Sequence, residues 1–327
     1  MKPFKTLEEQ IDILEERGLT INDKSKAKRY LLEHSYYKVI NVYSKFFQKK
    51  ENVYLKNATF EEIRLVHIFD TELKSILFKY LIECEKHFKS IVSYRFSEYY
   101  RDVPLAYLKT TSYDDENLLQ LANSISILSN IISNQIRSKK ANAIKHYNSN
   151  HNDIPLWVLI DNLTFGQTVH IYTHFDKKLK NSIAKDLAYY LESNLNKKIV
   201  VEPKELQNML FNLIDIRNCV AHNNKLFHFK CKNNLTYSEF LHSPAHIKKN
   251  QSRQDLYSNL VTMQLFLDKG QYALLHNTLL KRAKNLNNKL ISINIDLILT
   301  PLGFPIDWVT KTKTIPQDAD CKIKRDK

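Results

Sequence analysis

The sequence contains very little glycine: only 4 of its 327 residues are glycine. Because glycine usage averages about 7%, roughly twenty would be expected in a chain of this length. Folds rich in tight β-turns, or built around phosphate-binding loops, depend on glycine for backbone conformations that other residues avoid. The scarcity therefore argues against a β-rich or doubly wound α/β protein. It favours helices joined by turns of Asn, Asp, Ser and Lys.

Cysteine is also scarce, and none of the four cysteines forms a C-x-x-C pair: they are Cys84, Cys219, Cys231 and Cys321. Neither a zinc site nor a disulfide framework is expected, so the cysteines are interpreted as the reduced thiols of a cytoplasmic protein. The start of the chain leads into a charged helix rather than an apolar signal core. Asn294, Asp296 and Pro301 interrupt the most apolar late stretch, so no membrane span is expected. We expect no membrane partner, cofactor or bound metal.

Positive charge is in clear excess, with 49 Lys and Arg against 35 Asp and Glu, and a formal net charge of +14. Such an excess favours a polyanionic partner, either nucleic acid or a membrane surface, although a solvated lysine-rich surface gives the same composition. Seven basic residues are candidates for RNA contact, each of which also fits ordinary solvated surface. They are Lys38, Lys45, Lys49, Arg137, Lys139, Lys140 and Lys225.

Apolar residues recur at helical spacing along most of the chain, which predicts an all-α fold. The predicted helices cover about 6–17, 24–34, 60–100, 116–138, 181–195 and 203–223, with one or two more between 255 and 284. Gly18 is expected to end the first helix. Tyr36, Ile40, Tyr43 and Phe47 share one face of a further helix, and such a stripe is more typical of core than of a base-stacking surface. We predict a helical domain over 1–235, a helical extension over 236–308 and a flexible tail over 309–327.

The segment 203–223 carries the groups with the clearest chemical potential. Its apolar residues fall on one helical face: Leu206, Leu210, Leu213, Ile216 and Val220. Asn218 and His222 lie on another side, four residues apart and able to touch. Arg217 falls at the edge of the apolar arc, which predicts a partly buried guanidinium in need of an acidic partner or a ligand phosphate. Phe211 and Ile214 lie away from the apolar face and would need a second partner, such as the same helix of another subunit.

These groups match the needs of RNA cleavage at the ribose 2′-hydroxyl. That reaction requires a base for the hydroxyl, an acid for the leaving 5′-oxygen and a cation at the phosphate. Arg217 suits the phosphate, and His222 suits one of the two proton transfers. Because one histidine cannot fill both roles at once, a two-fold dimer with two copies of His222 is expected. The Arg-x4-His spacing alone is unspecific, since Arg29 and His34 repeat it.

Several ordered blocks of the sequence carry a resemblance to a known family. The blocks are an opening helix with an R-G turn (5–19), a segment similar to Y-Y-R-L-x-x-Y (32–43), segments similar to D-x-x-L-R (70–74) and E-x-x-x-R (85–89), a P-x-W and L-T-F-G segment (155–166), and R-N-x-x-A-H (217–222). Over roughly 3–230 the chain resembles the abortive-infection (Abi) family of bacterial phage-defence proteins, a branch of the HEPN (higher eukaryotes and prokaryotes nucleotide-binding) superfamily.

The chain departs from that family's pattern at four positions. Lys38, Lys74 and Lys89 stand where arginine is usual, which weakens any bidentate role there. Asp161 stands where the family often has glutamate. A carboxylate at 161 would either support the site by orienting the motif's arginine or histidine, or serve as a structural group.

The resemblance implies an all-α, HEPN-like helical bundle with additional N- and C-terminal helices, which forms a homodimer or a higher even oligomer. It implies a metal-independent endoribonuclease toxin with Arg217, His222 and Asn218 at the catalytic site, cleaving RNA to 2′,3′-cyclic phosphate and 5′-hydroxyl ends. An antitoxin or a regulatory small non-coding RNA would restrain it. The alternatives are a non-cleaving RNA-binding protein of the same fold, held in complex with a regulatory small RNA, and a purely structural subunit.

Overall fold

A computed structural model describes residues 3–114, 117–151 and 153–316, which form fifteen α-helices and one two-stranded antiparallel sheet. The helices are α1 (Leu7–Glu16), α2 (Lys24–His34), α3 (Tyr36–Tyr43), α4 (Phe60–Tyr99), α5 (Leu118–Arg137), α6 (Ala143–His151), α7 (Leu156–Leu159), α8 (Phe165–Thr173), α9 (Lys177–Leu195), α10 (Pro203–Ala221), α11 (Glu239–His242), α12 (Leu256–Thr262), α13 (Lys269–Asn287), α14 (Asp296–Leu299) and α15 (Trp308–Lys311). The sheet pairs β1 (Gln48–Lys50) with β2 (Val53–Tyr54). The fold is all-α, as predicted.

The 40-residue helix α4 packs against six of the other helices, more than any other described helix does. It begins at a capping box, in which the Thr59 hydroxyl accepts a hydrogen bond from the backbone N–H of Glu62 and the Glu62 side chain accepts one from Thr59. Its partners are α3, α7, α8, α9, α10 and α13. Because helices contact α4 on several sides, a single apolar core runs from Ile11 to Val309. Among the described residues, no helix combines the length and the apolar character needed to span a membrane.

Helix α10 packs against α4, α8, α9 and α12, and its sequence explains both of its ends. Pro203 occupies the first helical position, where its missing N–H costs nothing. At the other end Asn223 adopts a left-handed conformation with φ 52°, which asparagine tolerates better than most residues. Its N–H donates to the Val220 carbonyl (3.0 Å), and the Asn224 N–H donates to the Cys219 carbonyl (2.9 Å). This is a Schellman C-cap, and it fixes where the helix stops.

Several local predictions can be compared with the described residues. The apolar face of α10 is buried as predicted, and Gly18 ends α1 with φ 89°. Ile40, Tyr43 and Phe47 are buried, so the aromatic stripe belongs to the core. Neither the β1–β2 hairpin nor α6 was predicted.

The predicted division of the chain at residues 235 and 308 stays a prediction. Of the predicted tail, Val309 is buried within α15, and residues 317–327 lie outside the described residues.

Candidate active site

Arg217, Asn218 and His222 lie on the last turn of α10 and at its C-cap. Asn218 and His222 are exposed, and the His222 N–H donates to the Asn218 carbonyl at 3.1 Å. Arg217 is half-buried, as its position at the edge of the apolar arc predicted. Its Nε atom is buried, and no group in the described part of the chain forms a hydrogen bond with it. The guanidinium therefore carries one donor that the described part of the fold leaves without a partner.

A polar network connects this turn to α4, with Tyr43, Asp70 and Lys74 buried and Asn223 exposed. The Lys74 ammonium donates to Asn223 Oδ1 at 3.0 Å and forms a salt bridge with Asp70 Oδ2 at 2.6 Å. The Tyr43 hydroxyl donates to the same Asp70 oxygen at 2.8 Å. Asp70 is 0% exposed and Lys74 8% exposed. We call Tyr43, Asp70, Lys74 and Asn223 the Lys74 network.

The electrostatics of the network follow from its burial. Burial raises the pKa of the Asp70 carboxyl above its ordinary value, and the Lys74 ammonium opposes that rise. Burial, together with the neighbouring Asp70 carboxylate, also raises the pKa of the Tyr43 hydroxyl. The Tyr43 hydroxyl therefore stays protonated and remains a hydrogen-bond donor to Asp70 across the physiological range.

Cys219 occupies the side of α10 that faces this network. It is buried, and its Sγ donates to the Lys225 carbonyl at 3.6 Å. Burial raises the pKa of the Cys219 thiol to about 11. Asn218 lies about 100° around the helix from Cys219 and is exposed, as is His222 at the C-cap. The motif thus faces α4 with one side and solvent with the other.

A second cluster of titratable rings adjoins the network through Tyr43. The Tyr30 hydroxyl and His67 Nδ1 are 2.6 Å apart, and the His67 ring lies 5.1 Å from the His34 ring and 5.3 Å from the Tyr43 ring. Burial, with smaller contributions from the charges of His34 and Lys74, lowers the pKa of His67 to about 4. Arg29, the other half of the second Arg-x4-His match, forms an exposed salt bridge within α2.

Asp161 and the candidate RNA-contact residues are all exposed. Asp161 lies in the short 3₁₀ turn Ile160–Asn162, and within the described residues it forms no hydrogen bond with Arg217 or His222. The basic residues fall on separate segments: Lys38 on α3, Lys45 just after it, Lys49 on β1, Arg137 at the end of α5, Lys139 and Lys140 beyond it, and Lys225 after α10. Of these, only Lys225 directly follows the motif in the chain.

Phe211 and Ile214, the outer apolar residues of α10, pack against other parts of the same chain. Phe211 and Ile214 are half-buried and pack against the core. The Phe211 ring lies 5.6 Å from the ring of His170 on α8. Helix α8 therefore covers part of the surface for which a second subunit was predicted.

The structure gives roles to two sequence blocks, 70–74 and 85–89, whose function was not predicted. Lys74 belongs to the Lys74 network, and Lys89 forms a similar contact. Lys89 pairs with Glu85 at 2.7 Å and donates to the Leu163 carbonyl at 2.6 Å, next to the capping box formed by Thr164 and Gln167. Lys74 and Lys89 each form a salt bridge one helical turn back along α4 and also bond a distant segment. The available signal was the Asp/Glu-x-x-x-Lys spacing, which identifies an intrahelical pair but not the distant acceptor.

Other concave surfaces lie away from this turn. A cleft of about 530 Å³ is lined by residues between 90 and 107 and between 153 and 157, with Trp157 53% exposed at its edge. Neither Arg217 nor His222 lines that cleft. In the described ranges, no three His, Cys, Asp or Glu side chains are grouped so as to hold a metal ion.

The fold and the site together define an all-α protein in which a capped, motif-bearing helix packs along one long central helix. The family model of the Abi-like proteins matches residues 29–228, a span that includes Lys74, Arg217 and His222. The match covers more than half of the chain, so the chain belongs to the Abi-like protein family. This confirms the abortive-infection resemblance predicted from the sequence blocks, whereas membership of the HEPN superfamily stays a prediction. No curated protein and no solved structure was found to match the chain.

Proposed function

We propose that the chain is a metal-independent endoribonuclease of the HEPN type, which acts as a toxin in abortive infection against phage. The observation that carries the proposal is the buried Nε of Arg217, which has no hydrogen-bond partner among the described residues and lies at the same helix end as the exposed His222. Leaving a buried donor unsatisfied costs about 1–3 kcal/mol. A phosphodiester oxygen that reached Nε as the guanidinium moved on binding would remove that cost, at the helix end that also carries His222.

The proposed reaction is an attack of the ribose 2′-oxygen on the adjacent phosphorus. A base takes the 2′-hydroxyl proton as the P–O2′ bond forms, and an acid gives a proton to the 5′-oxygen as the P–O5′ bond breaks. The products are a 2′,3′-cyclic phosphate and a 5′-hydroxyl. Arg217 would neutralise the charge on the non-bridging oxygens, and Asn218 would donate a hydrogen bond beside it.

His222 supplies one of the two proton transfers. The other would come from the partner's His222 in a two-fold dimer, since both side chains are exposed at a helix end and would meet across a shared cleft. On this proposal the exposed lysines, Lys225 among them, contribute sequence-independent attraction for RNA. The restraint on the enzyme, an antitoxin or a regulatory small RNA, would bind over the same helix end.

The test is cleavage of an end-labelled RNA of random sequence by the purified chain in the presence of EDTA. Arg217→Ala and His222→Ala are expected to lose at least about a hundredfold in rate, because each removes a group that acts in the transition state. The wild-type products should carry 5′-hydroxyl ends, which polynucleotide kinase labels directly. Sedimentation of both variants should show the wild-type oligomer.

The chain offers its own matched control in the second Arg-x4-His sequence. Arg29→Ala removes an arginine at the same spacing from an exposed salt bridge and is expected to cleave at the wild-type rate. Wild-type cleavage by both Arg217→Ala and His222→Ala would refute the site. Salt-sensitive RNA binding with no cleavage by any form would instead favour the non-cleaving RNA-binding alternative.

A further inference from the structure

We propose that Lys74 is a positioning residue, which holds His222 in its reactive direction by clamping the neighbouring Asn223 to α4. This inference rests on the proposed function. The two residues that make the clamp are 149 positions apart in the chain, and their side chains meet at 3.0 Å. Nothing in the spacing of the Arg-x4-His motif requires such a contact.

The first step of the argument concerns the helix end itself. The last turn of a helix tends to fray, because its final carbonyls lack intrahelical partners. His222 is the C-cap of α10, so its Cα–Cβ direction depends on how firmly that turn is held. The two backbone bonds of the Schellman cap hold it from within the helix. Within the described ranges, the Asn223 side chain alone joins this cap to another element by a hydrogen bond, and that element is α4.

The second step concerns the rigidity of the clamp. An ammonium group has three donors, and Lys74 directs one to Asp70 and another to Asn223. The Tyr43 hydroxyl donates in turn to Asp70, and both Asp70 and Lys74 are almost fully buried. A lysine side chain free to rotate in solvent would not fix the position of Asn223. Lys74 can do so because the Asp70 carboxylate that binds its ammonium is itself held by Tyr43.

The third step concerns why a pair of this kind is present at all. Replacing a buried ion pair by apolar groups of similar size is often neutral or stabilising, so such a pair is weak evidence for a role in stability. Its cation here reaches the residue next to the exposed histidine. The network therefore holds Asn223 in position, which apolar side chains in place of Asp70 and Lys74 would not do.

The decisive variant is Asn223→Gly. Glycine accepts φ 52° without strain, so the cap is kept, while the amide oxygen that Lys74 binds is removed. Cleavage of the random RNA should fall about ten- to hundredfold in kcat with little change in KM, since misplacement by about 1 Å has effects of that order. Asn223→Asp retains an oxygen acceptor for Lys74 and should restore most of the rate.

Asn196→Gly is the matched control. Asn196 also ends a helix, α9, in a left-handed conformation (φ 49°), and it is exposed. Both glycine variants are expected to melt within a few degrees of the wild type, and only Asn223→Gly should lose activity. Equal rates for Asn223→Gly and the wild type, in a preparation that Arg217→Ala inactivates, would overturn the positioning role while leaving the proposed function standing.

A second readout does not depend on cleavage. The imidazole resonances of His222, assigned by comparison with His222→Gln, should broaden or split in Asn223→Gly and remain as in the wild type in Asn196→Gly. An unchanged His222 signal in Asn223→Gly would overturn the inference even if no RNA were cut. If both Arg217→Ala and His222→Ala cleave at the wild-type rate but the His222 signal responds to Asn223→Gly, the clamp is real and the proposed catalytic site is wrong.

Discussion

Replacing Lys74 with methionine tests how much the chain depends on the buried pair. The substitution keeps most of the side-chain length and removes the charge, which leaves the Asp70 carboxylate in a site with 0% exposure. Removing one partner of a buried ion pair costs about 3–5 kcal/mol, because the remaining charge is uncompensated. For a chain of this size each kcal/mol lowers the melting temperature by about 2 °C, so a decrease of roughly 6–10 °C is expected.

The stability lost in Lys74→Met should depend on pH, and the burial of Asp70 determines the direction of that dependence. The pKa of Asp70 is raised in the folded state even with Lys74 present, and removal of the ammonium raises it further. A carboxyl whose folded pKa exceeds its unfolded value loses stability as pH rises between those two values. The penalty of Lys74→Met should therefore be smallest near pH 4 and reach its full size at neutral pH. Urea unfolding from pH 4 to 8 measures it.

Two further variants make the result decisive. Adding Asp70→Asn to Lys74→Met removes the stranded charge and should recover most of the lost stability. Lys5→Met makes the same chemical change in an exposed Lys–Glu pair of the same i,i+4 spacing and should cost less than about 1 kcal/mol. A loss for Lys74→Met no larger than that for Lys5→Met, or one independent of pH, would refute this account of the network.

Two other outcomes are expected. Because the pKa of His67 is lowered to about 4 in the folded chain, it contributes stability above its ordinary pKa of 6.5 that is lost as pH falls toward 4. His67→Asn should therefore flatten the fall in melting temperature over that range, and an unchanged slope would show that His67 does not titrate as the fold requires. Lys89→Met removes the ammonium that joins Glu85 to the Leu163 carbonyl and should lower the free energy of unfolding by about 1–3 kcal/mol, measured by urea titration. Lys86→Met, at an exposed ion pair on the same helix, should have little effect in the same titration.

Local patterns predicted the helices well where local forces determine them. The bounds predicted for α2, residues 24–34, are those observed, and the apolar face of α10 is buried as its periodicity indicated. The partial burial of Arg217 also followed from its angle on the helical wheel. These features depend on helical spacing and on the contrast between apolar and polar residues, both of which are present in a short window.

Other features were missed because their partners are distant in sequence. The contact between Lys74 and Asn223 and the contact between Lys89 and Leu163 each join separate segments. A short stretch of sequence around Lys74 or Lys89 predicts a charged residue on a helix, but it does not contain the distant residue that the lysine contacts. The short β1–β2 hairpin, with five residues in its strands, is likewise too brief to produce a clear alternating pattern.

The sequence by itself determined that this chain is helical, that it belongs with the Abi-like proteins, and that Arg217 and His222 share the end of one helix. It did so because periodicity and ordered motifs are properties of neighbouring residues. Only the tertiary structure decided that α8 contacts Phe211 on the outer side of that helix, that Arg217 Nε is buried with no hydrogen-bond partner in the described ranges, and that Lys74 donates a hydrogen bond to Asn223. Those outcomes depend on which elements pack together, and packing is determined by the whole core at once.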